Sequence, residues 1–453
     1  MQEKPILNGG SQKQARTVSL DKDAARRTLD CGLVGEARDG NLEGIKSLVK
    51  MGANVEAKDY WGKTALMCAC MNGHEDVALF LIDSGAGMNA GDKDGWTPIM
   101  FAAHNGFSRL VETLIDKGAD VYAIDNMGYS VLMHALSQES IDTARMMSRK
   151  GFGLKNQKMK WYPVPDAASD GKDLAVKFLV EEGADIDAMG GLHCITALDC
   201  GIRCGNFGLA KFLLDNGANI DKGDTFGKTP LMRAAANCSI EKMSFLLENG
   251  ANPDAMDQNN GTALKLASEY GHIEAVRLLV ENKASLDLGG MTALLHALRN
   301  RHAEVAKFLV KSGADVNMAD KEGKTALMWA APWADVDVAK IILEKVAHGM
   351  VNASDKERKT ALIHAAEGRN IGIIMFLIDN GAWIDTKDIY QNNAVDYALR
   401  YDNSMTEMRV PYTDSQGDGM ETARFLKFAH IFQPLVGIGP LSELVLDFAE
   451  CVS

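Results

Sequence analysis

Along most of the chain, apolar positions recur in two short bursts separated by a polar, glycine-containing break. In residues 59–86, Leu66 and Ala69 are followed by "NGH" at 72–74; then Val77, Leu81 and Ile82 recur at helical spacing before "SGA" at 84–86. This predicts a short helix, a turn, a second helix with one apolar face, and a glycine stop. Thr64 stands where a side-chain oxygen caps the first helix. In later copies Pro98 and Pro230 take the first helical position, where a missing N–H costs nothing. Connections such as "DVNMADKEGK" at 315–324, rich in Asp and Gly, suit turns that project from the helices.

The pattern is periodic. Aligning on the capping residue gives Thr64, Thr97, Ser130, Tyr162, Thr196, Thr229, Thr262, Thr292, Thr325, Thr360 and Asn393, mostly 33 residues apart. Seventeen residues after each anchor, and after a degenerate copy near Cys31, the residue is always apolar, from Leu48 and Leu81 to Ile342 and Leu377. A position that never turns polar is a core position. About twelve repeats therefore span residues 29–432. No single repeat can bury its apolar face alone, so stability must come from stacking, with atypical repeats at the ends.

This divides the chain into a flexible N-terminal arm at 1–28, a capping repeat at 29–58, a repeat array at 59–392, and an interrupted C-terminal repeat at 393–432 carrying an insertion at 402–419. A C-terminal helix or tail follows at 433–453, with Leu441, Leu444, Val445 and Phe448 on one helical face suited to covering the last repeat. A docking motif would use the same pattern.

The 33-residue period, the "TALM" and "TPLM" anchors, the turn and "GADVN" at 313–317 together resemble the ankyrin repeat family over nearly nine-tenths of the chain. The resemblance implies an all-α repeat solenoid: a single ankyrin array of helix-turn-helix repeats with projecting β-turn or hairpin loops. In the family a His three residues after the Thr helps tie turn to helix. Here Met67, Met100, Met133, Met232 and Met328 stand there, which predicts a less firmly tied turn. The resemblance also makes Asn317 a candidate for asparagine hydroxylation, although most such asparagines are simply turn-formers.

A formal charge of −13 argues against the basic face that nucleic acid or an anionic membrane requires, and a partner with basic patches is the easier fit. Eight cysteines scattered through 453 residues read as free thiols in a reducing compartment, and a cytoplasmic location is expected. Residues 1–28 show no apolar signal-peptide core, and no apolar run approaches the ~20 residues of a membrane span.

Little chemistry competes with a structural reading. The "GKT" of residues 62–64, 227–229 and 323–325 lacks the glycine a phosphate-binding loop needs five residues earlier, where Ala57, Lys222 and Met318 stand. His193, Cys194, Cys200 and Cys204 form the one cluster with ligand chemistry, yet their spacing matches no standard zinc site, and small buried thiols are the plainer account. No catalytic residue, metal or cofactor is expected.

The positions that change are those the family exposes: the turn residues before each Thr and the residue four after it. Tyr60, Trp61, Trp96, Tyr129, Trp161 and Phe226 occupy turns, while Phe101, His134, Arg233 and Trp329 are fourth-after residues expected to line one concave surface. Trp, Tyr and Arg dominate interface energetics, so these ten are the candidate partner-binding residues, the strongest patch lying in the N-terminal half. A second candidate is residues 145–161, with Arg145, Arg149, Lys150, Lys155, Lys158 and Lys160 and no acidic residue: a hinge, an acidic-peptide site or a solvated loop. The resulting expectation is a non-enzymatic scaffold that binds another protein, with no nucleic acid, membrane or small-molecule substrate. The alternative is an adaptor or effector subunit whose segment 402–453 docks onto a larger complex while the repeats hold cargo.

Overall fold

The computed structural model describes residues 10–154, 163–190, 194–347 and 349–399, and among them the regular structure is helical, with no β-strand. They fall into two compact units, one up to Asn219 and one from Ile220. Within each, the expected repeat is realised as a short first helix, a tight break and a nine-residue or shorter second helix.

In the N-terminal unit the first helices Ala65–Asn72, Pro98–His104 and Val131–Ser137 pack side by side in that order. In the C-terminal unit Pro230–Ala236, Ala263–Glu269, Ala293–Arg299, Ala326–Ala330, Ala361–Glu367 and Ala394–Leu399 do the same. Each begins where sequence places its cap. Thr64, Ser130, Thr196, Thr229, Thr262, Thr292 and Thr360 accept the backbone N–H three residues on through their side-chain oxygens, and Pro98 and Pro230 open their helices. Gly62 sits at φ +84°, where an L side chain is strained, and a Cβ there would lie 3.1 Å from the Lys93 nitrogen in the next turn.

The invariant apolar column is the core of the second helices. Leu81, Leu114, Met147, Leu213, Leu246, Leu279, Leu309 and Leu377 are completely buried, and Leu179 and Ile342 nearly so. Each such side chain contributes about 1.5–3 kcal/mol by leaving water. Leu48 is only half-buried, because it lies on the terminal helix Leu42–Lys50, which has a neighbouring repeat on one side only.

Side chains also link successive repeats. Asn89 accepts the Asp120 N–H at 2.9 Å and Asp187 that of Asn219 at 2.9 Å; in the C-terminal unit Asp254, Asn317 and Asn352 accept from Ser285, Ala347 and Trp383. Asn317 is thereby a link in this ladder. At the break, His74 Nε2 lies 3.0 Å from the Arg38 carbonyl, and His272 and His302 reach the Ala236 and Glu269 carbonyls in the same way.

Two regions bear on the sequence expectation. Residues 10–28, expected as a flexible arm, belong to the helix Gly10–Asp39, since 11–31 contain no Gly or Pro and are dominated by residues that tolerate a helix well. Its C-terminal part packs on Ala65–Asn72 through Leu33, Val34 and Ala37. The basic stretch is partly neutralised by neighbouring second helices: Arg145 pairs with Glu181 at 2.8 Å, and Lys150 with Asp116 at 2.7 Å and Glu112 at 3.2 Å. Lys155, Lys158, Lys160 and Trp161 lie outside the described residues, as do the insertion 402–419 and the tail 433–453.

Candidate interaction surface

In eight repeats the turn that precedes the first helix is built on one aspartate, five residues before the anchor. Asp59 Oδ1 accepts the Trp61 and Lys63 N–H groups at 2.9 and 2.8 Å. Asp92, Asp125, Asp224, Asp257, Asp320, Asp355 and Asp388 hold the equivalent pair of amides in their own turns. The side chain thus satisfies two donors that a projecting turn would otherwise leave to water.

In five of these turns the second carboxylate oxygen explains the residue four after the anchor. Asp125 Oδ2 lies 3.0 Å from His134 Nε2, and Asp224 Oδ2 accepts from Arg233 Nη1 at 2.8 Å. Asp320 Oδ2 accepts from Trp329 Nε1 at 3.0 Å, Asp355 Oδ2 pairs with His364 Nε2 at 2.8 Å, and Asp388 Oδ2 accepts from Tyr397 Oη at 2.6 Å. His, Arg, Trp and Tyr are here chemical equivalents: each brings a donor to a carboxylate that is largely removed from water. This clamp ties turn to helix, the task that the missing His three residues after the Thr performs in the resembling family. At that place Met67 and Met100 are buried, their sulfurs 3.3 and 3.4 Å from the capping residue's nitrogen.

Two expected surface residues are therefore not open to a partner. His134 is 5% exposed and Phe101 6%; the fourth-after position faces its own turn, and the expectation that its residues line an open surface is corrected. Arg233 and Trp329 are half-buried in their clamps. Variation at the fourth-after position reads in the sequence as recognition, so the clamp was not legible there, although an Asp stands nine residues earlier in most repeats.

The turn aromatics behave differently. In the N-terminal unit Tyr60 is 79% and Trp61 60% exposed, meeting edge to face at 5.6 Å between ring centroids. In the next repeat Trp96 packs on Phe101 at 5.0 Å, on His104 at 5.1 Å and on His134 at 4.0 Å, and Tyr129 in the following turn lies 6.0 Å from His134. Lysines bridge the rows: Lys93 Nζ sits 4.3 Å from the Tyr60 ring centre and Lys63 Nζ 4.9 Å from that of Phe101. Six expected residues, Tyr60, Trp61, Trp96, Phe101, Tyr129 and His134, thus form one aromatic strip across three successive repeats. Phe226, 63% exposed, stands in a turn of the C-terminal unit, and Trp329 on its first helix Ala326–Ala330.

Burial holds His104 and His134 below the ordinary histidine range, the latter despite the opposing pull of Asp125, so both rings are neutral near pH 7. The His193 cluster does not assemble a ligand set among the described residues: His193 lies outside them, and Cys200 Sγ is directed at the Pro165 carbonyl at 3.8 Å. Burial pushes the Cys200 thiol up to about 11, which disfavours a thiolate. Among the described residues no helix is long and apolar enough to cross a membrane.

Comparison with known proteins agrees with this repeat architecture. A family model described as ankyrin repeats (three copies) matches residues 33–125, 80–158, 200–289 and 282–355, and one described as ankyrin repeats (many copies) matches 164–214. Mouse "Protein phosphatase 1 regulatory subunit 27" is 46% identical over 68 residues, 15% of this chain and 43% of that protein. Zebrafish "Notch-regulated ankyrin repeat-containing protein A" is 48% identical over 43 residues, 10% of this chain and 38% of that protein. The matches thus span about two-fifths of these relatives' lengths. A solved ankyrin repeat domain from Acinetobacter baumannii AYE is 29% identical, covering 41% of this chain and 97% of that one with a TM-score of 0.37.

Proposed function

The chain belongs to the ankyrin repeat family, and from that premise we propose that it is a non-enzymatic protein-binding module whose partner docks on the aromatic strip of its N-terminal unit. The observation that carries this reading is the strip itself. Turns of three successive repeats present Tyr60, Trp61, Trp96 and Tyr129, linked through Lys63, Lys93 and His134, with Tyr60 and Trp61 mostly in water. Exposed aromatics held on a rigid frame lose little conformational entropy on binding and supply the large buried contacts that anchor interfaces. Stacking supports the frame, and the Asp125–His134 clamp ties the turn carrying Tyr129 to its helix.

The test is affinity capture from native lysate with wild-type chain and with Tyr60→Ala/Trp61→Ala, quantified by mass spectrometry. Because both rings are largely exposed, helical circular dichroism should be unchanged while the specific partner is depleted at least about tenfold, the loss of roughly one hot-spot interaction. Equal recovery of every wild-type partner by the double variant would remove the strip as the binding surface.

A further inference from the structure

Within that reading, which this inference presupposes, the geometry points to the chemistry of the partner: we propose that the strip takes the guanidinium of an arginine in a basic segment of the partner, held by Asp92 and stacked on the aromatic rings around it.

The argument rests on the clamps. In five turns a donor at the fourth-after position, His134, Arg233, Trp329, His364 or Tyr397, satisfies the turn aspartate's second oxygen. In the repeat anchored at Thr97 that residue is Phe101, which cannot donate. Asp92 Oδ1 holds the Asp94 and Trp96 amides, but no described residue donates a hydrogen bond to Asp92 Oδ2. Asp59, followed by Cys68, is the neighbouring case, and there an arginine from another part of the chain comes close: Arg38 Nη2 lies 3.8 Å from Asp59 Oδ2.

Arg233 provides the internal template for a tighter fit. Its Nη1 donates to Asp224 Oδ2 at 2.8 Å and to the Lys228 carbonyl at 2.6 Å. The corresponding acceptors in the repeat anchored at Thr97 are Asp92 Oδ2 and the Trp96 carbonyl, and the backbone between them is closed in the same way, Asp92 N to Trp96 O at 3.0 Å against Asp224 N to Lys228 O at 3.1 Å. A guanidinium supplied from outside would meet the same pair. It would also meet aromatic faces suited to a cation, as Lys63 over Phe101 and Lys93 over Tyr60 already show. Lys63 is held by Met71 Sδ at 3.7 Å, and the exposed Asp94 adds negative charge beside Asp92. Arginine is favoured over lysine because one planar fork can bond two acceptors and stack at once. The chain's net charge of −13 attracts a basic segment to the site.

The experiment measures fluorescence anisotropy of labelled hexa-arginine and hexa-lysine peptides with the full chain at near-physiological salt. The expected result is tighter binding of hexa-arginine, weakened about tenfold or more by Asp92→Asn, which keeps an oxygen for the turn amides but removes the second acceptor. Asp215→Asn, the same charge change on a second helix, should have no effect. Phe101→Arg, which supplies the donor from within as Arg233 does, should block binding while the melting temperature is kept or raised. Equal binding of the two peptides, equal losses in Asp92→Asn and Asp215→Asn, or undiminished binding by Phe101→Arg would overturn the inference. If it is overturned while Tyr60→Ala/Trp61→Ala still depletes the captured partner, the strip binds a different chemistry; if that double variant also has no effect, the strip itself is the error.

Discussion

His134→Leu is the sharpest probe of the turn clamps. The imidazole and the Asp125 carboxylate are 6% and 2% exposed at the side chain and 3.0 Å apart. Removing the donor leaves Asp125 Oδ2 buried against an apolar group. A hydrogen bond to a charged acceptor is worth about 1.5–3 kcal/mol, and orphaning a buried charge adds to that, so a local cost of about 2–4 kcal/mol is expected. Repeat arrays can open in parts, so the loss is best read locally. The reporters are the Met127 and Tyr129 amides, held by Asp125 Oδ1 at 2.9 and 2.8 Å. Their hydrogen exchange at pH 7 should accelerate about thirtyfold or more. The effect also depends on pH with a defined sign. Burial keeps folded His134 below its unfolded value of about 6.5, so the unfolded chain takes up the proton first as pH falls. The clamp's contribution is complete above that value and is lost as pH falls through the folded one. Exchange at both amides within about threefold of wild type across pH 5–7 would refute the reasoning.

Other perturbations probe the remaining layers. Thr292→Val removes the cap on the Leu295 N–H at 3.3 Å and should lower stability by about 1 kcal/mol in urea titrations. Leu246→Ala empties a fully buried position of the core column and should cost about 2–5 kcal/mol, seen as a lower melting temperature of the C-terminal unit. Gly62→Ala forces a side chain into φ +84° against the Lys93 nitrogen and should cost about 1–2 kcal/mol in the same assay. Because burial lowers His104, His134, His296 and His364 alike, whole-chain stability should fall from pH 7 to pH 5; a flat profile would contradict their neutral state in the fold.

Much of this architecture was legible in the sequence because its causes are local and repeated. Thr64 and its counterparts cap helices through a side chain acting three residues away, and the column from Leu81 to Leu377 is set by helical spacing within one repeat. The aromatic tips were visible for the same reason, since turns project. What was not legible depends on side chains meeting across nine residues. His134, Arg233, Trp329, His364 and Tyr397 look like unrelated choices until the turn folds back and each meets the same carboxylate oxygen. Variability there reflects the many ways to donate one hydrogen bond. Phe101 is buried at the same position although it brings no donor, while Tyr60 and Trp61 are exposed at the turn tip. Residues 10–28, expected as a flexible arm, belong to the helix Gly10–Asp39, where no Gly or Pro interrupts residues 11–31.

The central claim, that the turn tips of the N-terminal unit meet the partner, is tested most directly by photocrosslinking in the native cell. A benzophenone amino acid is placed singly at Tyr60, at Trp61, at the exposed Phe226 and at the exposed Tyr270. The account predicts one specific adduct from positions 60 and 61 and none of that species from 226 or 270. Adducts confined to Phe226 or Tyr270 would move the interface to the C-terminal unit and contradict it.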